Sequence, residues 1–285
     1  MRCVVATVWA VLLVSVSVAS AEDPVLYREG RRNPETDTNV DMYKRSWRDS
    51  AVMVGHGGFL EHAYLTPGDP LNPEKPGAVL KYIKAYNHGI LSPRQTGAYV
   101  KHDREQVFFF VLDGSGTVEA GSDTAELCEG TGVFVPAGIE YRFINTTDEP
   151  LEVVIIVEDI SDGFEPLTAI RTGNYHDSAP HSGGHWSHVG RSIVSGMKFA
   201  NPMGIAVVSI ESFDVAHPHA HVEGCEEIWN QIRGDSMMMI GKYLRWHREG
   251  EAILIPPDGK TPHASINPDD EPVFWLYVGN RHDIR

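Results

Sequence analysis

The chain has 285 residues, 42% of them hydrophobic and 22% charged, and a formal net charge of −15. This is the composition of a folded globular protein, long enough for one large domain or two of ordinary size. An acidic chain gains nothing electrostatically from nucleic acid or an anionic membrane surface, so neither is expected as a partner.

Arg2 is followed by an apolar run from Val4 to Val18, broken only by Thr7, Ser15 and Ser17, and then by Ala19-Ser20-Ala21. A positive start, a run too short for a comfortable span and a small-x-small end predict a secretory signal peptide over residues 1–21. A secreted or periplasmic protein with no membrane contact after cleavage is the expectation. Residues 22–50 are polar and read as an N-terminal arm. The mature chain keeps Cys128 and Cys225 at non-equivalent places, which favours two free thiols over a pair.

From residue 51 onward, short apolar runs alternate with turn residues. They lie at 107–112, 153–157, 204–210, 237–240, 252–255 and 273–278, rich in β-branched and aromatic side chains and bounded by Gly, Pro, Asp or Asn. No long stretch carries a helical period, so the spacing predicts an all-β sandwich or barrel. The pattern also repeats. VFFFVLDG at 107–114 corresponds to EIWNQIRG at 227–234, and VFVPAGIEYRFIN at 133–145 to LIPPDGKTPHASIN at 254–267, an offset of about 120 residues. One β unit is therefore expected at 51–160 and its copy at 198–285.

The connector, 161–197, is rich in Gly, Ser and His. Its His176, His181, His185 and His188 are expected in a solvated loop rather than in a second metal site or a lid, because no carboxylate or thiolate stands at a fixed metal-site spacing. Asn145-Thr146-Thr147 matches a glycosylation triplet, but Asn145 is expected to cap a turn instead.

The second unit concentrates the chemistry. Along an extended strand His219 and His221 point the same way, and Glu227, Trp229 and Gln231 share one face of the next strand. His263 follows a Pro257-x-Gly259 turn. A barrel brings such inward groups together, and three imidazoles with a carboxylate suit a first-row transition metal. His217 has the same parity as His219 and His221 and is expected at the rim, supporting a ligand or protonating a substrate. Gln231 is the expected polar contact to substrate, and Glu226 with Glu223 the expected acid–base carboxylates. Trp229, Trp275, Tyr277 and Met237–Met239 are candidate walls, with Arg245 and Tyr243 weaker candidates.

These residues resemble the cupin superfamily. Its first motif runs His-x-His, three or four residues, Glu, six residues, Gly; here five residues separate His221 from Glu227 and six separate Glu227 from Gly234. Its second runs Pro-x-Gly, two residues, His, three residues, Asn; here three residues separate Gly259 from His263, and Asn267 follows in step. The step to Gly234 favours Glu227 over Glu226 as the ligand. In the first unit Pro136-x-Gly138, Tyr141 and Asn145 keep the second motif, but Tyr141 takes the histidine position, Val107 the glutamate position, and His102 alone remains near the histidine pair.

The resemblance implies two tandem double-stranded β-helix (jelly-roll) barrels, a bicupin. The first is expected to be metal-free. The second would hold one divalent ion, iron, manganese, copper, nickel or zinc, through His219, His221, Glu227 and His263. The implied activity is a dioxygenase-like oxidoreductase on a small organic molecule. The alternatives are a lyase, decarboxylase or isomerase for a sugar acid or carboxylic acid, and a non-catalytic binding module. Assembly into a homo-oligomer stays open.

Overall fold

Glycine, proline and Asx turns cut the apolar runs into strands, and the β-branched and aromatic residues between them suit a pleated, buried surface. The computed structural model describes residues 38–182, 188–201 and 203–281. The expected signal peptide, the first part of the arm and His185 lie outside these residues.

The first barrel joins two antiparallel sheets. One carries Glu105–Asp113 between Thr131–Val135 and Leu151–Asp159 and continues through Ala85–Leu91 and Phe59–Pro67 to the edge strand Val52–Gly55. The other orders Val100–Lys101, Glu140–Ile144, Gly116–Ala120 and Asp123–Leu127. In the second barrel the corresponding large sheet runs Glu251–Ile255, Cys225–Arg233, Val273–Arg281, Met203–Ile210, and the small one Tyr243–His247, Ser236–Ile240, His263–Ile266.

The central strands of the first barrel's large sheet are buried on two faces, which is why 107–112 and 153–157 read as unbroken apolar runs. In Glu105–Asp113, Val107, Phe109 and Val111 pack into the first barrel's lumen with Phe59, Tyr141 and Phe143. Phe108 and Phe110, one residue out of phase, join a second core cluster with Ile228, Leu254 and Leu276. The barrels therefore share a hydrophobic core through the outer faces of their large sheets.

The arm and the connector are more ordered than their composition suggests. Lys44–Ser46 adds an antiparallel strand beside Glu251–Ile255, with Lys44 Nζ held 2.9 Å from Glu251. Arg171–Asn174 adds one beside Thr131–Val135, and His188–Ser192 one beside Met203–Ile210. The N-terminal segment thus completes the C-terminal barrel, and the connector contributes to both. Each added strand occupies a sheet edge whose N–H and C=O groups would otherwise lack partners. The solvated-loop expectation for the connector is corrected on this point.

The two barrels close their last turn in the same way. Asn145 donates from Nδ2 to the Leu91, Ser92 and Glu149 carbonyls and accepts from Thr147 N. Asn267 does the same with Ile210, Glu211, Glu271 and Asp269. Asn145 is 1% exposed and fully employed in this turn. No disulfide joins Cys128, which is exposed, to Cys225, which is buried.

Candidate metal centre

His219 does not sit in a strand. It lies in an extended segment that touches the second barrel at an isolated bridge, with His263 N–H donating to His219 O at 2.8 Å and His219 N–H to His263 O at 3.2 Å. This bridge sets the two imidazoles side by side, and the alternation of the extended chain brings His221 to the same face. Ring centroids are 4.4 Å apart for His219–His263 and 4.9 Å for His219–His221 and for His221–His263. One nitrogen from each ring lies within 4.8 Å of the others. Glu227, on Cys225–Arg233, faces His221 directly, Oε2 against Nε2.

The single extra residue in each motif is absorbed in a turn. Before Glu227 the chain turns at Gly224, with φ of +80° and its N–H on the Pro257 carbonyl. Before His263, Asp258 caps the turn by accepting from Lys260 N, Thr261 N and Thr261 Oγ1. Gly259 has φ of +71°, and a Cβ there would lie 2.8 Å from Glu223 N, so the two turns touch at this glycine. Both insertions leave Glu227 and His263 facing inward.

The donor set fits a divalent transition ion. His263 is fully buried, and neither of its ring nitrogens has a hydrogen-bond partner among the described residues. A buried polar group left in that state costs about 1–3 kcal/mol, which a coordinated ion would remove. Burial pulls the His263 imidazole down to about 4, and burial also lowers His219, so both rings are neutral and available as ligands at pH 7. Burial alone would push the Glu227 carboxyl up, but His221, His263 and Trp229 together hold it below its ordinary range.

Supporting contacts orient the ligands. His219 Nδ1 lies 3.1 Å from the His217 carbonyl, which fixes the tautomer that leaves Nε2 for an ion. The His217 ring stacks on His219 with centroids 4.9 Å apart. Trp229 Nε1 donates to Glu227 Oε1 at 2.5 Å, which leaves Oε2 for the cluster.

The cluster opens on a cavity of about 220 Å³ inside the second barrel, walled by Trp229, Trp275, Tyr277 and Val208. Of the expected walls, Trp229, Trp275 and Tyr277 are there. Met238 packs in the core, and Arg245 pairs with Asp41 at the surface. Two expected catalytic residues are also elsewhere. Glu226 lies on the opposite face of its strand from Glu227, where Oε1 accepts from Lys81 N of the first barrel at 2.7 Å. Burial pushes its carboxyl up to about 7. Gln231 shares the inward phase, but its Nε2 donates to Gly234 O at 2.8 Å and its Oε1 accepts from Ser236 Oγ at 3.3 Å, so it secures the turn beyond the strand. His217 supports His219 and does not line the cavity.

Sequence reasoning set aside two residues that do line it. His181 and His188 of the connector reach the cavity, because His188–Ser192 completes the sheet and His181 bridges back to Gly190 with hydrogen bonds of 2.9 and 2.7 Å. Their only signal was the local density of histidine. In the first barrel, Tyr141 stands opposite Ala120 as His263 stands opposite Ile240, and aromatic rings fill the lumen. A buried polar group not foreseen lies there too: Glu61 accepts from Asn87 and pairs with His56 at 2.6 Å.

Comparison with known proteins agrees with this architecture. Residues 88–157 match the family model described as Cupin domain. An uncharacterized protein of Streptomyces coelicolor is 26% identical over 84 residues, which cover 28% of this chain and 78% of that protein. Among solved structures, oxalate decarboxylase of Bacillus subtilis superposes with a TM-score of 0.63 at 14% identity, covering 86% of this chain and 78% of that one. The Ylba protein of E. coli gives a TM-score of 0.58 at 15% identity, covering 83% and 97%. At these identities the structural likeness establishes the fold.

Proposed function

We propose that this chain, a two-barrel member of the cupin superfamily, is a metal-dependent oxidoreductase, dioxygenase-like, acting on a small organic molecule in its second barrel. The observation that carries the reading is the convergence of His219, His221, His263 and Glu227 on one end of a small aromatic-walled cavity. A bound divalent ion would supply Lewis acidity and, for iron, manganese, copper or nickel, one-electron chemistry, with a coordination position left open.

The chain's own residues do the rest. The His217 carbonyl and the Trp229 indole hold two ligands in orientation. Trp229, Trp275 and Tyr277 exclude water and offer flat surfaces to a flat or apolar substrate. Glu227 is the only carboxylate among the described residues lining the cavity. If it is spent on the ion, no carboxylate is left there as a general base, which favours chemistry carried by the metal. Arg2, the apolar run and Ala19-Ser20-Ala21 support export to the periplasm or the medium.

The test is metal analysis followed by oxygen uptake. The full chain, stripped and reloaded in turn with each metal, should hold close to one ion. It should consume oxygen with a small phenol or keto acid when iron, manganese, copper or nickel is bound. Turnover without oxygen consumption would replace this reading with the lyase, decarboxylase or isomerase. Ligand-induced thermal stabilisation without turnover would replace it with the binding module.

A further inference from the structure

The cavity has a second polar end. Across the large sheet the strands run Cys225–Arg233, Val273–Arg281, Met203–Ile210, His188–Ser192. Glu227 is level with Gly279, whereas Trp275 is level with Val208 and, one strand further, with Gly190. The Gly190 region is thus displaced from Glu227 both along and across the sheet, three strand spacings of about 4.8 Å away before curvature.

Three nitrogen-bearing side chains line the cavity there, those of Trp275, His188 and His181. Trp275 is 2% exposed, and its Nε1–H, a group that can only donate, has no acceptor among the described residues. The His188 ring meets Trp275 edge-on, with centroids 6.2 Å apart. His181 lies over Gly190, where a Cβ would come within 2.6 Å of its Cε1. The φ of Gly190 is not positive, so what matters at this position is the missing side chain, which makes room for the imidazole. No carboxylate is among the described residues at this end.

We infer that Trp275, His181 and His188 form a carboxylate-binding end of the cavity, so that the substrate is a small aromatic or unsaturated acid with its metal-binding oxygen and its carboxylate at opposite ends. The buried Trp275 donor, with no acceptor among the described residues, fits an acceptor-only group, and a carboxylate can take further hydrogen bonds from neighbouring imidazole N–H groups at the same time. The indole and phenol walls suit a flat body between the two ends. The inference rests on the metal reading for one end only.

The experiment compares protocatechuate (3,4-dihydroxybenzoate) with catechol, which lacks the carboxylate, by calorimetry on the cobalt-loaded full chain. Protocatechuate should bind at least about tenfold more tightly, since hydrogen bonds to a charged group contribute this much or more. Trp275→Phe removes the donor and keeps the wall, and Gly190→Ala displaces the His181 ring without removing it. Both variants should bring protocatechuate down towards catechol while the cobalt absorption spectrum stays unchanged. Equal affinities in the parent chain, or a preference that survives both variants, would overturn the inference. A chain that retains no cobalt refutes the metal reading instead. Benzoate titrated into the metal-free chain then decides this end: binding weakened about tenfold by Trp275→Phe supports it, and no binding overturns it.

Discussion

Acidification should destabilise the second barrel through a residue remote from the metal cluster. His247, at the end of Tyr243–His247, is 1% exposed and donates from Nε2 to the Glu251 carbonyl at 3.1 Å. Burial pulls its imidazole from 6.5 down to about 3. The folded state thus keeps the ring neutral while the unfolded chain protonates it. Above pH 6.5 both states are neutral and the contribution is complete; it is lost as the pH falls from 6.5 towards 3. Between pH 7 and pH 4.5 this linkage costs about 2–3 kcal/mol. For a chain of this size that corresponds to a fall in Tm of roughly 3–5 °C. Calorimetry in chelator-containing buffer at the two pH values, on the parent chain and on His247→Gln, isolates the effect. The amide can keep the bond to Glu251 but does not titrate, and His219 and His263 titrate in both chains and cancel in the difference. The variant should start less stable at pH 7 and lose about 2–3 kcal/mol less on acidification. Equal losses in the two chains would refute the assignment of this proton sensitivity to His247.

Glu227→Gln should weaken metal retention at least about tenfold, read by metal analysis after dialysis, because an amide is a poorer ligand than a carboxylate. Glu226→Gln should retain the metal, since that side chain faces the first barrel and its amide oxygen can still accept from Lys81 N; the reverse pattern would exchange their roles. Tyr141→Phe should stabilise the chain by roughly 1 kcal/mol, seen as a rise in Tm, because the buried hydroxyl lacks a partner among the described residues. A fall of similar size would show that the hydroxyl is satisfied in solution.

How much of this was legible in the sequence depends on how local each signal is. The alternation of His219 with His221 and of Glu227 with Trp229, and the turns at Gly234, Gly138 and Asn267, follow from backbone periodicity and turn chemistry, which are written within a few residues. Those signals are sufficient for an all-β duplicated chain and for the histidine–glutamate set facing one lumen. They also separate Glu227 from Glu226, since neighbours on a strand face opposite sides, and the structure places Glu226 against Lys81. Gln231 shows the limit of the same rule: phase directs it inward, but the bulge between Gln231 and Arg233 hands its amide to the turn carbonyls. Only the tertiary structure decided that Lys44–Ser46 would close the edge of a barrel some two hundred residues away, and that a Gly- and His-rich connector would lay His181 and His188 along the cavity wall. Edge pairing is made by backbone N–H and C=O groups that every residue but proline carries alike, so side-chain pattern cannot say which segment will find which edge.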